Sequence, residues 1–152
     1  MGSPSLHPLS TPPGDVVAGT FLLYTDGAAR GNPGPAAIGA ALYMVEDGTR
    51  RLVGEVSEAI GTATNNVAEY KAVLAGLLLA RRHHPDRLVL RADSQLLIRQ
   101  LEGRYRVKNL ALRQLYEEVT RLLQALPSYD LQHVPREENI VADALANAAL
   151  DR

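Results

Sequence analysis

The stretch TFLLYTDGAARGNPGPAAIGAALYMV, residues 20–45, contains the pattern that decides the fold. Its first part, Thr20–Asp26, is a short apolar run that ends at a cluster of Gly, Asn and Pro, which predicts a buried strand followed by a turn. A second apolar run, Ala36–Val45, ends just before Asp47-Gly48, a dipeptide typical of hairpin turns. The sequence therefore predicts two strands here, and a third over Arg51–Gly61 that is antiparallel to the second.

Beyond Gly61 the apolar residues follow the period of a helix, which ends near Pro85. The strand predicted over Arg87–Asp93 follows this helical crossover, so we expect it to be parallel to an earlier strand. The remaining elements are predicted helices over 94–101, 109–125 and 139–150 and a fifth strand over 129–134. This order predicts an α/β fold with a mixed five-stranded sheet flanked by helices, in which the first three strands are antiparallel and the later ones parallel.

The composition is that of one globular domain. The 152 residues include 16 Lys+Arg and 17 Asp+Glu, a net charge of −1, which excludes nucleic-acid binding through bulk positive charge. Cysteine is absent, which excludes disulfides, thiolate zinc sites and cysteine nucleophiles. No apolar run reaches the ~18 residues of a membrane span, and residues 1–19 lack a secretory signal pattern. We therefore expect a cytoplasmic protein, and nothing argues against a monomer.

The first nineteen residues differ in composition from the rest. They contain four of the nine prolines, with Ser, Thr and Gly between them, and such a segment buries little apolar surface. We expect residues 1–19 to be a flexible, Pro-rich tail or linker, and residues 20–152 to be the folded domain.

Two of the predicted strands end in an aspartate. Asp26 follows the first strand and Asp93 the fourth. If these strands are parallel neighbours, both carboxylates lie at the edge where open α/β sheets place their ligands. Carboxylates in contact repel each other unless a cation or a proton lies between them. Each residue also has an explanation without a site, Asp26 as the start of an Asp-Gly turn and Asp93 as a helix cap.

Two further carboxylates lie near the starts of predicted helices. With Asn66 as N-cap, Glu69 occupies the third helical position and completes a capping box. Asp143 lies in the first turns of the last helix, where the helix dipole favours a negative charge. Taken together, however, the four carboxylates suit hard cations such as Mg²⁺. A pair of such ions ~4 Å apart is a known arrangement for the attack of water on a phosphodiester.

Four segments carry a family resemblance: YTDGAARGNPGPAAIGAALY, TNNVAEYKAVLAGL, LRADSQLLIRQL and HVPREENIVADALANAAL. In this order and spacing they resemble the type 1 ribonuclease H family, in particular its compact, archaeal-like branch that lacks a basic protrusion. The resemblance implies a ribonuclease H-like fold, with residues 20–152 as the catalytic domain. It also implies an endonuclease that hydrolyses the RNA strand of RNA/DNA hybrids, using two Mg²⁺ ions per site or Mn²⁺ in their place, and leaves 5′-phosphate and 3′-hydroxyl ends.

The resemblance assigns roles to individual residues. The catalytic and metal-binding carboxylates are Asp26, Glu69, Asp93 and Asp143. The substrate-binding residues, expected at the minor groove, the RNA 2′-hydroxyls and the DNA strand, are Gly27, Asn32, Thr64, Asn65, Asn66 and Gln95. Amides suit this task because they both donate and accept hydrogen bonds, and the 2′-hydroxyl distinguishes RNA from DNA. The asparagines also have an explanation as helix caps or turn residues.

Two regions depart from the family pattern. Many family members carry a histidine in a loop before the last helix, but here His133 lies within the predicted fifth strand, where a packed residue is the favoured interpretation. Arg136 or Glu137 could take part of the space of the loop histidine, and the sequence leaves open whether His133 or Arg136 replaces it. Asn139 is expected near the last carboxylate, with a helix cap as the alternative. The only cations in place of the basic protrusion are Arg104, Arg106 and Lys108. They could contact the DNA backbone, and a solvated loop is the alternative.

Three other functions stay open at this point. The same fold could act on double-stranded RNA as a second substrate. A hybrid- or RNA-binding module without turnover would be expected to have lost at least one of the four carboxylates. A purely structural interaction domain would leave the Asn and Gln side chains beside the carboxylates unexplained.

Overall fold

Five strands form one sheet in the computed structural model, which describes residues 19–152. The strands are β1 (Thr20–Ala29), β2 (Gly34–Glu46), β3 (Thr49–Ala63), β4 (Arg87–Ala92) and β5 (Tyr129–His133). They pair in the order β3-β2-β1-β4-β5. The pairs β1–β2 and β2–β3 are antiparallel, whereas β1–β4 and β4–β5 are parallel. The predicted mixed sheet is confirmed.

Four α-helices flank the sheet: α1 (Asn65–Arg81), α2 (Gln95–Leu101), α3 (Leu110–Gln124) and α4 (Ile140–Asp151). A short 3-10 helix, Arg136–Glu138, precedes α4 and was not expected from the sequence. None of the helices in residues 19–152 is long and apolar enough to cross a membrane. The tail predicted over 1–19 lies, apart from Gly19, outside the described residues.

The apolar run of β1 is continuous because both of its faces are covered. Phe21 and Leu23 belong to the larger apolar core, which also contains buried residues of α1 and α3. Leu22 and Tyr24 point to the other face and share a smaller cluster with Ala142 of α4. The sheet is therefore a central layer, and helices cover its central strands β1 and β4 on both faces.

The sequence predicted that β1 ends at Asp26, but the strand continues beyond this residue. Its pairing with β4 stops at Thr25↔Ala92, but its pairing with β2 continues to Ala29↔Ala36. The Asp-Gly dipeptide is consequently extended strand rather than a turn. Asp26 lies where β1 separates from β4.

Two glycines allow helices to approach the sheet closely. A Cβ atom at Gly27 would overlap the main chain of Ala68 in α1, and one at Gly39 in β2 would overlap the carbonyl oxygen of Ala142 in α4. Any larger residue would push these helices outward. Both helices carry candidate carboxylates, so the two glycines set how near those carboxylates come to β1.

Candidate active site

Three carboxylates converge at the end of the paired part of β1 and β4. Ligand oxygens of Asp26, Glu69 and Asp93 all lie within 4.8 Å of one another. Asp26 and Asp93 are the residues that follow the last β1–β4 pair, Thr25↔Ala92, so the parallel pairing itself places them side by side. This is the juxtaposition expected from the order of the strands.

Glu69 reaches this cluster from α1. The helix begins at Asn65, and its N-cap is Thr64, whose hydroxyl accepts a hydrogen bond from Val67 N at 3.2 Å. The predicted capping box with Asn66 as N-cap is therefore wrong, because Glu69 is the fifth residue of the helix. Its Oε1 instead accepts a hydrogen bond from Gly27 N at 3.3 Å.

Asp143 joins the cluster through Asp26. The two side chains are hydrogen-bonded to each other, although Asp143 is not among the three mutually close carboxylates. Asn147, one turn further along α4, donates from Nδ2 to Asp143 Oδ1 at 3.2 Å. All four carboxylates predicted from the sequence thus lie in one connected group.

The electrostatics of the group favour a cation. Burial, followed by the charge of Asp93 and the hydrogen bond with Asp143, raises the pKa of Asp26 to about 8, although the charge of Arg136 acts in the opposite direction. Burial, followed by the charges of Asp26 and Asp93, also raises the pKa of Glu69 well above its usual range, against the hydrogen bond from Gly27. A divalent cation relieves this repulsion more fully than a proton does, and an all-oxygen donor set is the kind that Mg²⁺ and Mn²⁺ prefer.

Asn139 connects the strands that carry the two aspartates. It is 1% exposed, and its Nδ2 donates to Asp93 Oδ2 at 3.0 Å and to the main-chain oxygen of Thr25 at 2.9 Å. It occupies the N-cap position of α4 but makes no side-chain cap hydrogen bond. Its main-chain oxygen accepts from Asp143 N at 3.1 Å. The capping alternative is therefore wrong for the side chain, which holds Asp93 and β1 in place.

The Asn139 neighbourhood contains two buried polar atoms without a hydrogen-bond partner in the described part of the chain. These are Asn139 Oδ1 and Thr25 Oγ1. Sequence reasoning missed Thr25 altogether. Its contribution to the site is a main-chain carbonyl, which no side-chain pattern could have indicated.

The predicted substrate-binding residues lie around the start of α1 and the β1–β2 turn. Asn65 N donates to Asn32 Oδ1 at 3.0 Å, and Ala29 N donates to Asn65 Oδ1 at 3.1 Å. These bonds use the carbonyl oxygen of each amide for structure, so turn and helix are tied together. The exposed residues of this set are Asn32, Asn65, Asn66 and Gln95. Gln95 opens α2, two residues after Asp93.

The remaining candidates divide into two groups. His133 ends β5 opposite Ala92 and is exposed, so the strand assignment is confirmed while the packed alternative is not. Arg136 is close enough to lower the pKa of Asp26.

The cations between α2 and α3 are exposed: Arg104, Arg106 and Lys108. The two arginines border a cleft of about 420 Å³.

The model of the family described as "Reverse transcriptase-like" matches residues 24–149. The chain is 45% identical over 133 residues to ribonuclease HI of Halobacterium salinarum, covering 88% of this chain and 65% of that protein. It is 36% identical over 147 residues to ribonuclease H of Halorhodospira halophila, covering 88% and 94% of the two chains. It spans 35% of the length of three mycobacterial relatives.

A solved structure, that of LC11-RNase H1 in complex with an RNA/DNA hybrid, has the same fold. It superimposes with a TM-score of 0.78 at 38% identity and covers 86% of this chain and 96% of that one.

Proposed function

Because the chain belongs to the type 1 ribonuclease H family, we propose that it is an endoribonuclease that hydrolyses the RNA strand of RNA/DNA hybrids. Its products would carry 5′-phosphate and 3′-hydroxyl ends. The observation that carries the proposal is the group of carboxylates at the β1–β4 edge, with Asp26, Glu69 and Asp93 within 4.8 Å of one another. The relative seen with an RNA/DNA hybrid supports the choice of substrate.

The family is metal-dependent, and the carboxylate group fits a divalent metal. The residues that would hold it are Asp26, Glu69, Asp93 and Asp143, and we propose two Mg²⁺ ions per site, with Mn²⁺ as a substitute. When bound, such ions supply a nucleophilic water at neutral pH and stabilise the leaving oxygen. The raised pKa of Asp26 means that metal binding displaces a proton at neutral pH.

The protein contributes a fixed and crowded set of ligands. Gly27 N orients Glu69, and Asn139 Nδ2 orients Asp93. Because both orienting groups are part of, or bonded to, the main chain of the sheet, the carboxylates keep their positions despite their mutual repulsion. The positive charge of Arg136 reduces that repulsion at Asp26.

Recognition of the hybrid is assigned to the exposed polar residues beside the carboxylates. Asn32 and Asn65 use their carbonyl oxygens within the protein, which leaves their Nδ2 groups as donors for the minor groove and the RNA 2′-hydroxyls. The other proposed contacts are Gly27, Thr64, Asn66 and Gln95. Contacts to the DNA backbone are assigned to Arg104, Arg106 and Lys108, and a role in product release to His133 or Arg136.

The test is cleavage of a hybrid labelled on its RNA strand, with and without Mg²⁺, beside matched double-stranded RNA and single-stranded RNA. Asp93→Asn and Asp143→Asn should abolish cleavage. Asp151→Asn is a matched control, because Asp151 is an exposed acid on the same helix as Asp143 and pairs with Arg30. Cleavage retained in Asp93→Asn would contradict the two-metal assignment.

The same experiment separates the alternatives. Cleavage of double-stranded RNA at a comparable rate would extend the substrate range. Binding of the hybrid without cleavage in both Mg²⁺ and Mn²⁺ would instead identify a binding module. We also propose that the protein acts as a cytoplasmic monomer, which agrees with its cysteine-free sequence.

A further inference from the structure

A cleft of about 530 Å³ lies on the α4 face of the sheet. Its floor is formed by polar and aromatic side chains of β1 to β5, the relevant ones being Tyr24, Tyr43, Arg50, Arg91 and Gln132. Tyr24 and Arg91 each precede a catalytic aspartate by two residues, and alternate residues of a strand share a face. Tyr24 and Arg91 are therefore about 7 Å from the two aspartates along the strands, and none of the four carboxylates lines the cleft.

The floor of the cleft is a fixed hydrogen-bond network. Arg91 donates from Nε to Gln132 Oε1 at 2.8 Å and from Nη1 to the Tyr24 hydroxyl at 2.7 Å. Arg50 donates from Nη1 to the same hydroxyl at 2.6 Å. Tyr24 and Arg91 are each only 7% exposed. The buried guanidinium group of Arg91 and the exposed one of Arg50 are thus held against one buried oxygen atom.

The donors that this network leaves toward the cleft belong to Arg50 and to the Tyr24 hydroxyl. A tyrosine hydroxyl can accept two hydrogen bonds and donate one. The two guanidinium groups use both acceptor positions of Tyr24, and no residue in 19–152 accepts its O–H. Arg50 lies over the rings of Tyr43 and Tyr24, at 4.7 and 5.2 Å from their centroids, and forms no ion pair within the described residues. Converging donors and positive charge call for an oxyanion.

The wall of the cleft has the opposite character. It is formed by the 3-10 helix and the start of α4, which contribute Glu137, Glu138 and Ile140. Ile140 is 63% exposed and offers an apolar surface across from Tyr43. A simple anion would be repelled by the two glutamates. A ligand that matches the cleft is anionic at the end that faces the arginines and flat and apolar in the middle, beside Tyr43 and Ile140. At its other end it donates a hydrogen bond to a glutamate.

We propose that this cleft binds a 5′-mononucleotide, either free or as the 5′-phosphorylated end of a strand. The phosphate lies against Arg50 and the Tyr24 hydroxyl. The base lies against Tyr43, and its exocyclic amino group faces Glu137 or Glu138. The volume is within the range of ~300–1,000 Å³ found for small-molecule sites. Binding requires neither metal nor hydrolysis, so the proposal is independent of the activity proposed above.

The experiment is isothermal titration calorimetry of the whole chain in EDTA with 5′-GMP, guanosine, inorganic phosphate and UMP. We expect GMP to bind saturably and at least about tenfold more tightly than each of the others, since guanosine and UMP each lack one of the three contacts and inorganic phosphate lacks two. Arg50→Gln and Tyr24→Phe should weaken GMP binding by about tenfold, the usual effect of losing a charge-assisted hydrogen bond. Arg51→Gln is the matched control, because this neighbouring arginine pairs with Glu46 and should leave binding unchanged.

Short RNA with a 5′-phosphate or a 5′-hydroxyl distinguishes the two sources of the ligand. Phosphate-dependent binding of the RNA identifies a strand end, and binding of GMP alone identifies a free nucleotide. The proposal is overturned if GMP does not bind, or if phosphate or UMP binds as tightly. It is also overturned if Arg50→Gln, whose side chain is exposed and tolerates replacement, binds GMP like wild type. Loss of GMP binding in Asp26→Asn would place the nucleotide at the carboxylates and refute the separate cleft.

Discussion

Replacing Asp26 with asparagine should abolish hydrolysis and yet stabilise the metal-free protein. The side chain is 6% exposed, and burial, the charge of Asp93 and the hydrogen bond with Asp143 raise its pKa from 3.8 to about 8. The unfolded chain therefore loses this proton at a much lower pH than the folded chain. The carboxylate that we propose as a metal ligand therefore lowers the stability of the metal-free protein.

The sign and size of the effect follow from this difference. Between pH 3.8 and about 8 the folded state binds a proton that the unfolded state has released, so the free energy of unfolding falls as the pH rises. The slope for one such group is up to about 1.4 kcal/mol per pH unit. Below that window both states are protonated, and above it both are ionised, so the slope vanishes. Asp26→Asn removes this group. The free energy of unfolding of the variant should therefore exceed that of wild type by an amount that grows by about 3 kcal/mol from pH 5 to pH 7.

The assay is urea unfolding in EDTA, followed by circular dichroism at both pH values. Asp47→Asn, in the exposed turn between β2 and β3, is the control and should run parallel to wild type. Saturating Mg²⁺ should stabilise wild type and close the gap. A variant that is less stable than wild type at pH 7, or whose stability changes with pH as wild type does, would refute the reasoning.

Three further predictions concern the groups that hold the carboxylates. Gly27→Ala should lower the free energy of unfolding by about 1–3 kcal/mol in urea titration and reduce kcat, because the new methyl group overlaps the main chain of Ala68. Wild-type stability would mean that α1 can move away freely. Asn139→Ala should cost about 1–3 kcal/mol and lower kcat for the hybrid more than it changes KM, since Asp93 loses a hydrogen bond. An effect on KM alone would argue for substrate contact instead. Gly39→Ala should push α4 outward and raise the Mg²⁺ concentration needed for half-maximal cleavage, and an unchanged metal titration would contradict this.

The order of elements predicted one informative part of the site, although incompletely. The helical crossover before the fourth strand predicted that this strand is parallel to an earlier one, but the pattern left open which earlier strand is its neighbour. In the structure β1 and β4 pair in register up to Thr25↔Ala92. Once β1 and β4 are neighbours, their register places the two aspartates side by side, as the conditional prediction stated.

The local features were less predictable because neighbouring residues compete for them. Thr64, Asn65 and Asn66 are all good N-cap residues, and only the packing of α1 against β1 selects Thr64. The Asp26-Gly27 dipeptide is typical of a turn, yet it continues β1 because α1 needs the space above Gly27. In both cases the decision is made by tertiary contacts between segments that are far apart in the sequence.

No sequence pattern could predict the buried hydrogen bonds of the main chain and of amide side chains. The dual role of Asn139 depends on a carbonyl of β1 and a carboxylate after β4. The cleft on the α4 face of the sheet depends on Tyr24 and Arg91, which lie on the same face of the paired strands β1 and β4. Its only trace in the sequence is an arginine inside the otherwise apolar run of β4.

The Asn139–Thr25 hydrogen bond joins residues 114 positions apart in the chain. During synthesis, β1, α1 and β4 leave the ribosome well before α4, so a nascent chain carries Asp26, Glu69 and Asp93 without the helix that completes the site. Hydrolytic competence should then arise only once α4 has emerged and docked on the sheet. The docking of α4, and not the formation of the sheet, is therefore the folding step that completes the group of carboxylates.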